Sequence, residues 1–317
     1  MTQSSKKAIL LVNLGSPEAP TISAIRRFLA EFLSDPNVVD LSPFRWRPAL
    51  YGIVLPTRPK RLLADYQKMW NFYHESPLLY ITKNQTQQLQ QLLTECTVKF
   101  AMTYGEPTIR QTIDELLKQF IDELIVIPLY PQYSISTTRP VFQQVMKALE
   151  HKNNCPNLTF ISSFYQDDLY IEGLVANIHE AYRKQPFDHL VCSYHGIPLH
   201  YAQQGDPYPT HCQKTTKKIQ EKLDVPVTVS HCYQSKFGKA EWLTPSLTDH
   251  LQSLVQTGVQ RVGVIAPSFT ADCLETLIEI DEEARELFLT VGGTSFTFIE
   301  ALNNSPIFIQ CLAQLSN

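Results

Sequence analysis

The chain has 317 residues, enough for two domains at roughly 150 residues each, and its 44% hydrophobic and 18% charged content excludes a disordered polymer. Twenty-seven basic residues against 31 acidic ones leave a net charge of −4, which provides no electrostatic footprint for DNA or RNA. Seven cysteines, spaced 20 to 59 residues apart and never as C-x-x-C, argue against a disulfide framework and a zinc ribbon and point to a reducing cytosol.

Lys6-Lys7 precede Ala8–Val12, an apolar run of five residues that ends at Asn13 and is followed by Gly15-Ser16-Pro17. A buried first strand fits this better than a secretory signal. No stretch reaches the roughly 18 to 20 apolar residues of a spanning helix. Further strands are predicted at 98–102, 124–127 and 158–162, with helices at 23–33, 109–120 and 141–150. The second half predicts strands at 189–193, 225–229 and 262–266 and helices at 170–183, 210–223 and 244–256. Short β-branched runs alternating with amphipathic stretches are the pattern of parallel sheets with crossover helices.

The halves punctuate their strands alike. The first strand of each ends in Gly-x-Pro, at Gly15-Ser16-Pro17 and Gly196-Ile197-Pro198. The third ends in proline, at Ile127-Pro128 and Ala266-Pro267, and the second is followed by Tyr104-Gly105 or by Tyr233 and Gly238. Three matches in one order favour a duplicated open α/β unit. No G-x-G-x-x-G or G-x-x-x-x-G-K-[ST] follows any strand, so the usual nucleotide fingerprints are missing. Residues 41–82 interrupt the first half with Trp46, Tyr51, Trp70, Tyr73, Tyr80 and five prolines, at 43, 48, 56, 59 and 77. Lacking strand or long-helix periodicity, they read either as a lip over a flat apolar ligand or as a packed surface excursion. Arg45 and Arg47 beside Trp46 also suit a membrane surface.

Ligands of open α/β sheets bind beyond the carboxyl ends of the strands. There the second half places His195, then His231 to Ser235, then Ser268 to Glu275 leading to Glu279. An imidazole leaving a strand before a glycine suits a metal contact or a base working near neutrality, or else a hydrogen-bonded turn. Residues 272–286 hold seven acids and one base, Arg285, at helical spacings. Such a stripe is either a solvated face or a row of hard oxygen ligands that passes on a hydrated divalent cation. Cys192, His195, His231, Cys232 and Cys273 offer a competing zinc site, although their spacing matches no compact motif. Ser134 to Thr138 suits a carboxylate or phosphate, or simply a helix cap. Ser235 to Lys239 is a similar cationic loop.

Together these segments resemble the ferrochelatases. The resemblance is carried by Tyr194-His195-Gly196-Ile197-Pro198, Gly205-Asp206-Pro207-Tyr208, Tyr233 to Gly238, and Asp272-Cys273-Leu274-Glu275-Thr276-Leu277-Ile278-Glu279. Leu11 to Pro17 and Pro128 to Tyr133 with Ser136-Thr137-Thr138 add to it, in the family's order from about residue 8 to 302. The form is similar to the short one of Gram-negative bacteria. The resemblance implies an α/β fold of two similar Rossmann-like, chelatase-like domains with a porphyrin cleft between them. The first would span 1–165 with a lip at 41–82 and a C-terminal helix at about 303–317 returning to it; the second would span 166–302. It implies insertion of Fe(II) into protoporphyrin IX to form haem, with two protons released. His195 and Glu275 would be the catalytic pair and metal contacts, with Asp272 and Glu279 as metal path or support. Asn13, Leu14, Tyr104, Ser136, Thr137, Tyr194, Gln234 and Ser235 would bind porphyrin.

The same resemblance implies porphyrin and ferrous iron as substrates, no permanently bound cofactor, and a cytoplasmic monomer or weak dimer. It leaves room for peripheral contact with the inner membrane or a transient haem acceptor. With Cys311 alone near the end, the cysteine cluster that holds [2Fe–2S] in some relatives is not expected. Two departures concern substrate fit: His74-Glu75-Ser76-Pro77 stands for the commoner Gly-Gly-Ser-Pro, and Ala266-Pro267-Ser268-Phe269 for Cys-Pro-Gly-Phe. Rival readings are a coproporphyrin III ferrochelatase, a cobalt chelatase of similar fold, a non-catalytic porphyrin or haem carrier, and a two-domain solute-binding protein.

Overall fold

A strand buried on both faces reads as an unbroken aliphatic run, and Ala8 to Val12 are completely buried. In the computed structural model, which describes residues 6–236 and 240–317, this run is the heart of β1 (Lys7–Asn13). The chain divides into two compact units. One runs to Tyr130 and takes in Ser134–Ser162 and Leu312–Asn317; the other comprises Pro131–Tyr133 and Ser163–Cys311.

In the first unit β1 is followed by α1 (Ile22–Ser34), α2 (Pro43–Ala49), a π-helical turn (Leu50–Val54), α3 (Leu55–Tyr73) and α4 (Pro77–Leu92). Then come β2 (Cys96–Met102), α5 (Ile109–Leu117), β3 (Glu123–Pro128), α6 (Thr138–Leu149) and β4 (Asn157–Phe160). The strands pair in parallel in the order β2-β1-β3-β4. Leu10, Val12 and Val126 pack against Ile113, Leu116, Val141 and Val145 of α5 and α6. Gly15 must be glycine: its φ is +109°, and a Cβ there would lie 1.7 Å from the Tyr104 carbonyl oxygen.

The second unit repeats this plan. It contains α7 (Asp168–Lys184), β5 (His189–His195), α8 (Leu199–Gln203), α9 (Tyr208–Lys222), β6 (Thr228–Gln234), α10 (Leu247–Gln256) and β7 (Arg261–Ile265). It continues through α11 (Leu274–Leu277), a π-helical segment (Glu279–Ala284), α12 (Arg285–Thr290) and β8 (Ser295–Ile299). A last helix, α13 (Pro306–Leu315), crosses the division between the units. The order β6-β5-β7-β8, all parallel, matches the first sheet strand for strand. The repeat read from the strand ends is therefore a repeat of topology.

Three expectations are corrected. Residues 41–82 are helical almost throughout, although Pro48 and Pro59 lie inside helices, because each proline falls near a helix start or a π-turn where its missing N–H costs little. The sixth strand begins at Thr228, not at Val225. Pro226 cannot donate to a ladder, and the true strand carries polar residues that find partners: the Ser230 hydroxyl bonds His189 Nε2 at 2.8 Å and His250 Nε2 at 2.7 Å. The fourth strand of the second sheet, β8, was not predicted at all.

The His189–Ser230–His250 chain has a consequence for stability. Burial, with His250 nearby, pushes His189 down to about 4, and burial also lowers His231 and His250. The folded state thus holds these rings neutral while the unfolded chain protonates them near pH 6.5. The contribution of His189 is complete above about pH 6.5 and is lost as pH falls towards about 4, and those of His231 and His250 fall in the same direction. Urea unfolding at pH 7 and pH 5.5 is expected to show the loss, and His189→Gln to reduce the difference between the two pH values.

Candidate active site

Three carboxyl-terminal segments of the second sheet, after β5, β6 and β7, supply the site. The register of β5 and β6 sets Ser193 beside Cys232, Tyr194 beside Tyr233 and His195 beside Gln234. His195, half-buried, is the last residue of β5. Its Nδ1 lies 2.7 Å from the Gly196 carbonyl oxygen. A carbonyl only accepts, so Nδ1 carries a proton, and in the neutral ring the lone pair is on Nε2. The His195 main-chain N–H donates to Ser268 Oγ at 3.2 Å, from the turn after β7. Tyr208, of the Gly205-Asp206-Pro207-Tyr208 motif, is buried, and burial holds its hydroxyl well above the usual range, with nearby Ser268 acting against that rise. Ser268, read in the sequence as the start of the third strand-end segment and as a departure, is thus a contact of the key histidine.

Gln234 is buried and fully used. Its Oε1 accepts from Ser193 Oγ at 2.7 Å, and its Nε2 donates to the Glu275 carbonyl at 2.8 Å and to Glu279 at 3.4 Å. Ser235 stands at φ +64° and turns both its N–H and its hydroxyl onto the Glu279 carboxylate, at 2.6 and 2.5 Å. Gln234 and Ser235 therefore brace the acidic segment. Of the cationic loop read at 235–239, Phe237, Gly238 and Lys239 lie outside the described residues.

The acids do not share one continuous α-helical face. After the single turn of α11, residues Glu279–Ala284 wind as a π-helix, with the Glu283 N–H reaching the Ile278 carbonyl at 2.9 Å. The wider i→i+5 turn breaks the three-and-four spacing, so Glu275 and Glu279 sit at the sheet end while Glu283 and Glu286 are exposed. Asp281 is paired with Arg285.

Of the two roles expected for Asp272, metal path or support, its surroundings favour support. It is 1% exposed, and burial pushes its carboxyl up to about 6 against hydrogen bonds from Asn303, Thr276 and Ala301. Its oxygens are occupied by the protein's own donors. Tyr194 is likewise core, fully buried with its hydroxyl on Thr216 Oγ1 at 2.9 Å. The zinc alternative finds no ligand set: among the described residues no three His, Cys, Asp or Glu side chains converge. Burial pushes the Cys192 thiol up to about 12 and raises Cys232 and Cys273, as for small apolar core residues.

In the first unit the expected ligand-binding residues again follow strand ends. Asn13 and Tyr104 are buried and committed inward: Asn13 Nδ2 donates to Thr82 Oγ1 at 3.1 Å, and the Tyr104 hydroxyl donates to Asp35 at 2.9 Å. A strand-end position does not decide which way a side chain faces, and these two pack into the framework. Leu14, Ser136 and Thr137 are half-buried, and Thr137 Oγ1 has no partner among the described residues. His74 is exposed and caps α3 at φ +59°, while Glu75 pairs with Lys83 at 2.5 Å. A left-handed cap is where glycine is favoured.

A half-buried imidazole and a Glu279 carboxylate held by Gln234 and Ser235 thus follow strand ends of one parallel sheet, where open α/β folds carry their enzyme sites. Comparison with known proteins agrees. The ferrochelatase family model matches residues 6–317. The chain is 43% identical to the ferrochelatase of Mannheimia succiniciproducens over 318 residues, covering 99% of this chain and 98% of that one. It is 42% identical to that of Vibrio cholerae, with the same coverage. In fold it is similar to SirB from Bacillus subtilis with Fe3+, at a TM-score of 0.58 and 13% identity, covering 98% of this chain and 93% of that one. CbiX, an enzyme of sirohaem biosynthesis in denitrifying bacteria, gives 0.52 at 11% identity over 97% of each chain. The chain belongs to the ferrochelatase family.

Gly196 joins the two strand ends of the site. A Cβ there would lie 2.8 Å from the Gln234 carbonyl oxygen and 3.1 Å from the Trp242 ring. Gly196→Ala is expected to cost about 1–3 kcal/mol in urea unfolding and to lower turnover more than any surface substitution.

Proposed function

We propose that this chain inserts Fe(II) into protoporphyrin IX, giving protohaem and two protons, with His195 and Glu275 as the catalytic pair. The observation that carries this reading is the Nδ1–Gly196 contact, which leaves His195 Nε2 free at the end of β5. The two pyrrole N–H bonds break, their electron pairs pass to iron, and the protons go to basic groups. The single lone pair of His195 Nε2 serves in turn, never at once, as metal contact and as acceptor of one proton, because imidazole accepts a proton near neutrality. The Glu275 carboxylate meets the incoming iron as a hard oxygen ligand, and Glu279 supports it on the approach. Nitrogen and oxygen ligands of this kind hold Fe(II) without retaining it. Leu14, Ser136 and Thr137 are the porphyrin contacts we favour in the first unit, since their side chains are not wholly buried. We read the chain as a cytoplasmic monomer or weak dimer that needs no resident cofactor, its cysteines being scattered through the sequence.

Anaerobic assays with Fe(II) and protoporphyrin IX or coproporphyrin III test the reading. The purified chain, free of iron–sulfur absorption, is expected to prefer protoporphyrin IX. His195→Ala and Glu275→Ala are each expected to lose about 100-fold or more. Porphyrin binding without turnover by the unaltered chain would instead make it a carrier.

A peripheral membrane contact is favoured by the helical insertion. Phe44 is 92% exposed, and Tyr51 and Ile53 are exposed too, beside Arg45 and Arg47. Trp46 is turned inward, its indole N–H on the Leu33 carbonyl at 2.6 Å, so the apolar contact falls to Phe44, Tyr51 and Ile53. Among the described residues no helix is long and apolar enough to cross a membrane. Co-sedimentation with anionic phospholipid vesicles is expected, weakened by Phe44→Ser and by salt; a chain left wholly in the supernatant would remove this contact.

A further inference from the structure

Asp272 and Asn303 are joined by two reciprocal hydrogen bonds. The Asp272 main-chain N–H donates to Asn303 Oδ1 at 2.9 Å, and Asn303 Nδ2 donates to Asp272 Oδ2 at 2.6 Å. The other carboxylate oxygen, Oδ1, accepts from the Ala301 N–H at 3.2 Å and from Thr276 Oγ1 at 2.9 Å. Thr276 Oγ1 in turn accepts from the Cys273 N–H at 3.0 Å, and the Asn303 N–H donates to the Thr270 carbonyl at 3.0 Å. Asn303 adopts φ +45°, a left-handed conformation that asparagine tolerates better than most residues. The turn that follows β8 is thereby fastened to the turn that follows β7.

Glu275 lies inside this clasp. The residues at 272, 273 and 276 are fixed by the Asp272 carboxylate and the Thr276 hydroxyl, and the Glu275 carbonyl is held separately by Gln234. A one-turn helix such as α11 has almost no stability of its own, so its direction is set by such external bonds. We propose that Asn303 is the positioning residue for Glu275, acting through Asp272, and that Asp272 is an anchor and not a step on the metal's path. The inference rests on the iron-insertion reading above. In this proposal Asn303 acts on turnover through the Asp272 carboxylate that it holds.

The reciprocal geometry makes the pair exchangeable, and this gives the test. Asn303→Asp sets two carboxyls against each other, and Asp272→Asn sets two amides together. In the double exchange Asp272→Asn/Asn303→Asp, the side chain at 272 donates where it now accepts, and its oxygen still accepts from Ala301 and Thr276. Each single variant is expected to lower kcat about 10- to 100-fold, with KM and fluorescence-detected Kd for protoporphyrin unchanged within about twofold. The double exchange is expected to return kcat to within about threefold of the unaltered chain, in non-additive fashion. Thermal unfolding of all four proteins separates positioning from loss of fold. If a single variant unfolds, the double exchange still decides: folded and active, it supports the inference; unfolded, or folded and as slow as the singles, it overturns it. A normal kcat for Asn303→Asp also overturns it. An unaltered chain that fails to turn over defeats the iron-insertion reading itself, and this inference with it, and is recognised before any variant is measured.

Discussion

The parallel register of β5 against β6 is the constraint on which the candidate site depends. Because His195 pairs with Gln234, the imidazole and the amide leave the sheet side by side. Gln234 can then reach the Glu275 carbonyl and Glu279, and Ser235, in the left-handed region, can close on Glu279. A slip of one residue would turn every side chain of β6 to the opposite face. The buried polar bonds that this register satisfies, Ser193 to Gln234 and Ser230 between two histidines, would then be left unmade. Polar pairing within the strand thus specifies the register, and the register places the chemistry.

Much of the fold was legible because buried strands and amphipathic helices write themselves in different periods. The five aliphatic residues from Ala8 to Val12 cannot be anything but a strand covered on both faces. What escaped was structure whose signal is not apolar. β6 was misplaced because Ser230, His231 and Gln234 look like loop residues until their partners are known. β8, Ser-Phe-Thr-Phe-Ile, was missed beside the acidic segment, although the repeat required a fourth strand there: the first sheet had one, and the two strand orders are the same. The insertion misled in the other direction, since prolines placed at helix starts look in sequence like helix breakers.

The site was legible in its identities and less so in its roles. His195, Glu275 and Glu279 follow strand ends, and strand ends are where open α/β sheets bind ligands. Sequence position does not reveal whether a polar side chain faces outward or is already satisfied. Asp272, Tyr194, Asn13 and Tyr104 each stand beside residues with free faces, yet each is buried and bonded inside its own unit. Asn303 gave no signal, because a lone asparagine in a turn is commonplace and its partner lies 31 residues away.

The two departures from the family pattern have different physical meanings. At His74 the backbone is left-handed, a conformation that suits glycine, and histidine meets it at a cost of about 1 kcal/mol. At Ser268 no such strain arises. The added hydroxyl takes the His195 N–H, a partly buried donor that would otherwise need water or another partner. The serine therefore does not merely crowd the edge where glycine is common. It replaces solvent with a fixed acceptor behind the imidazole, restricting the motion of the β5 end while the ring's own Nε2 stays free.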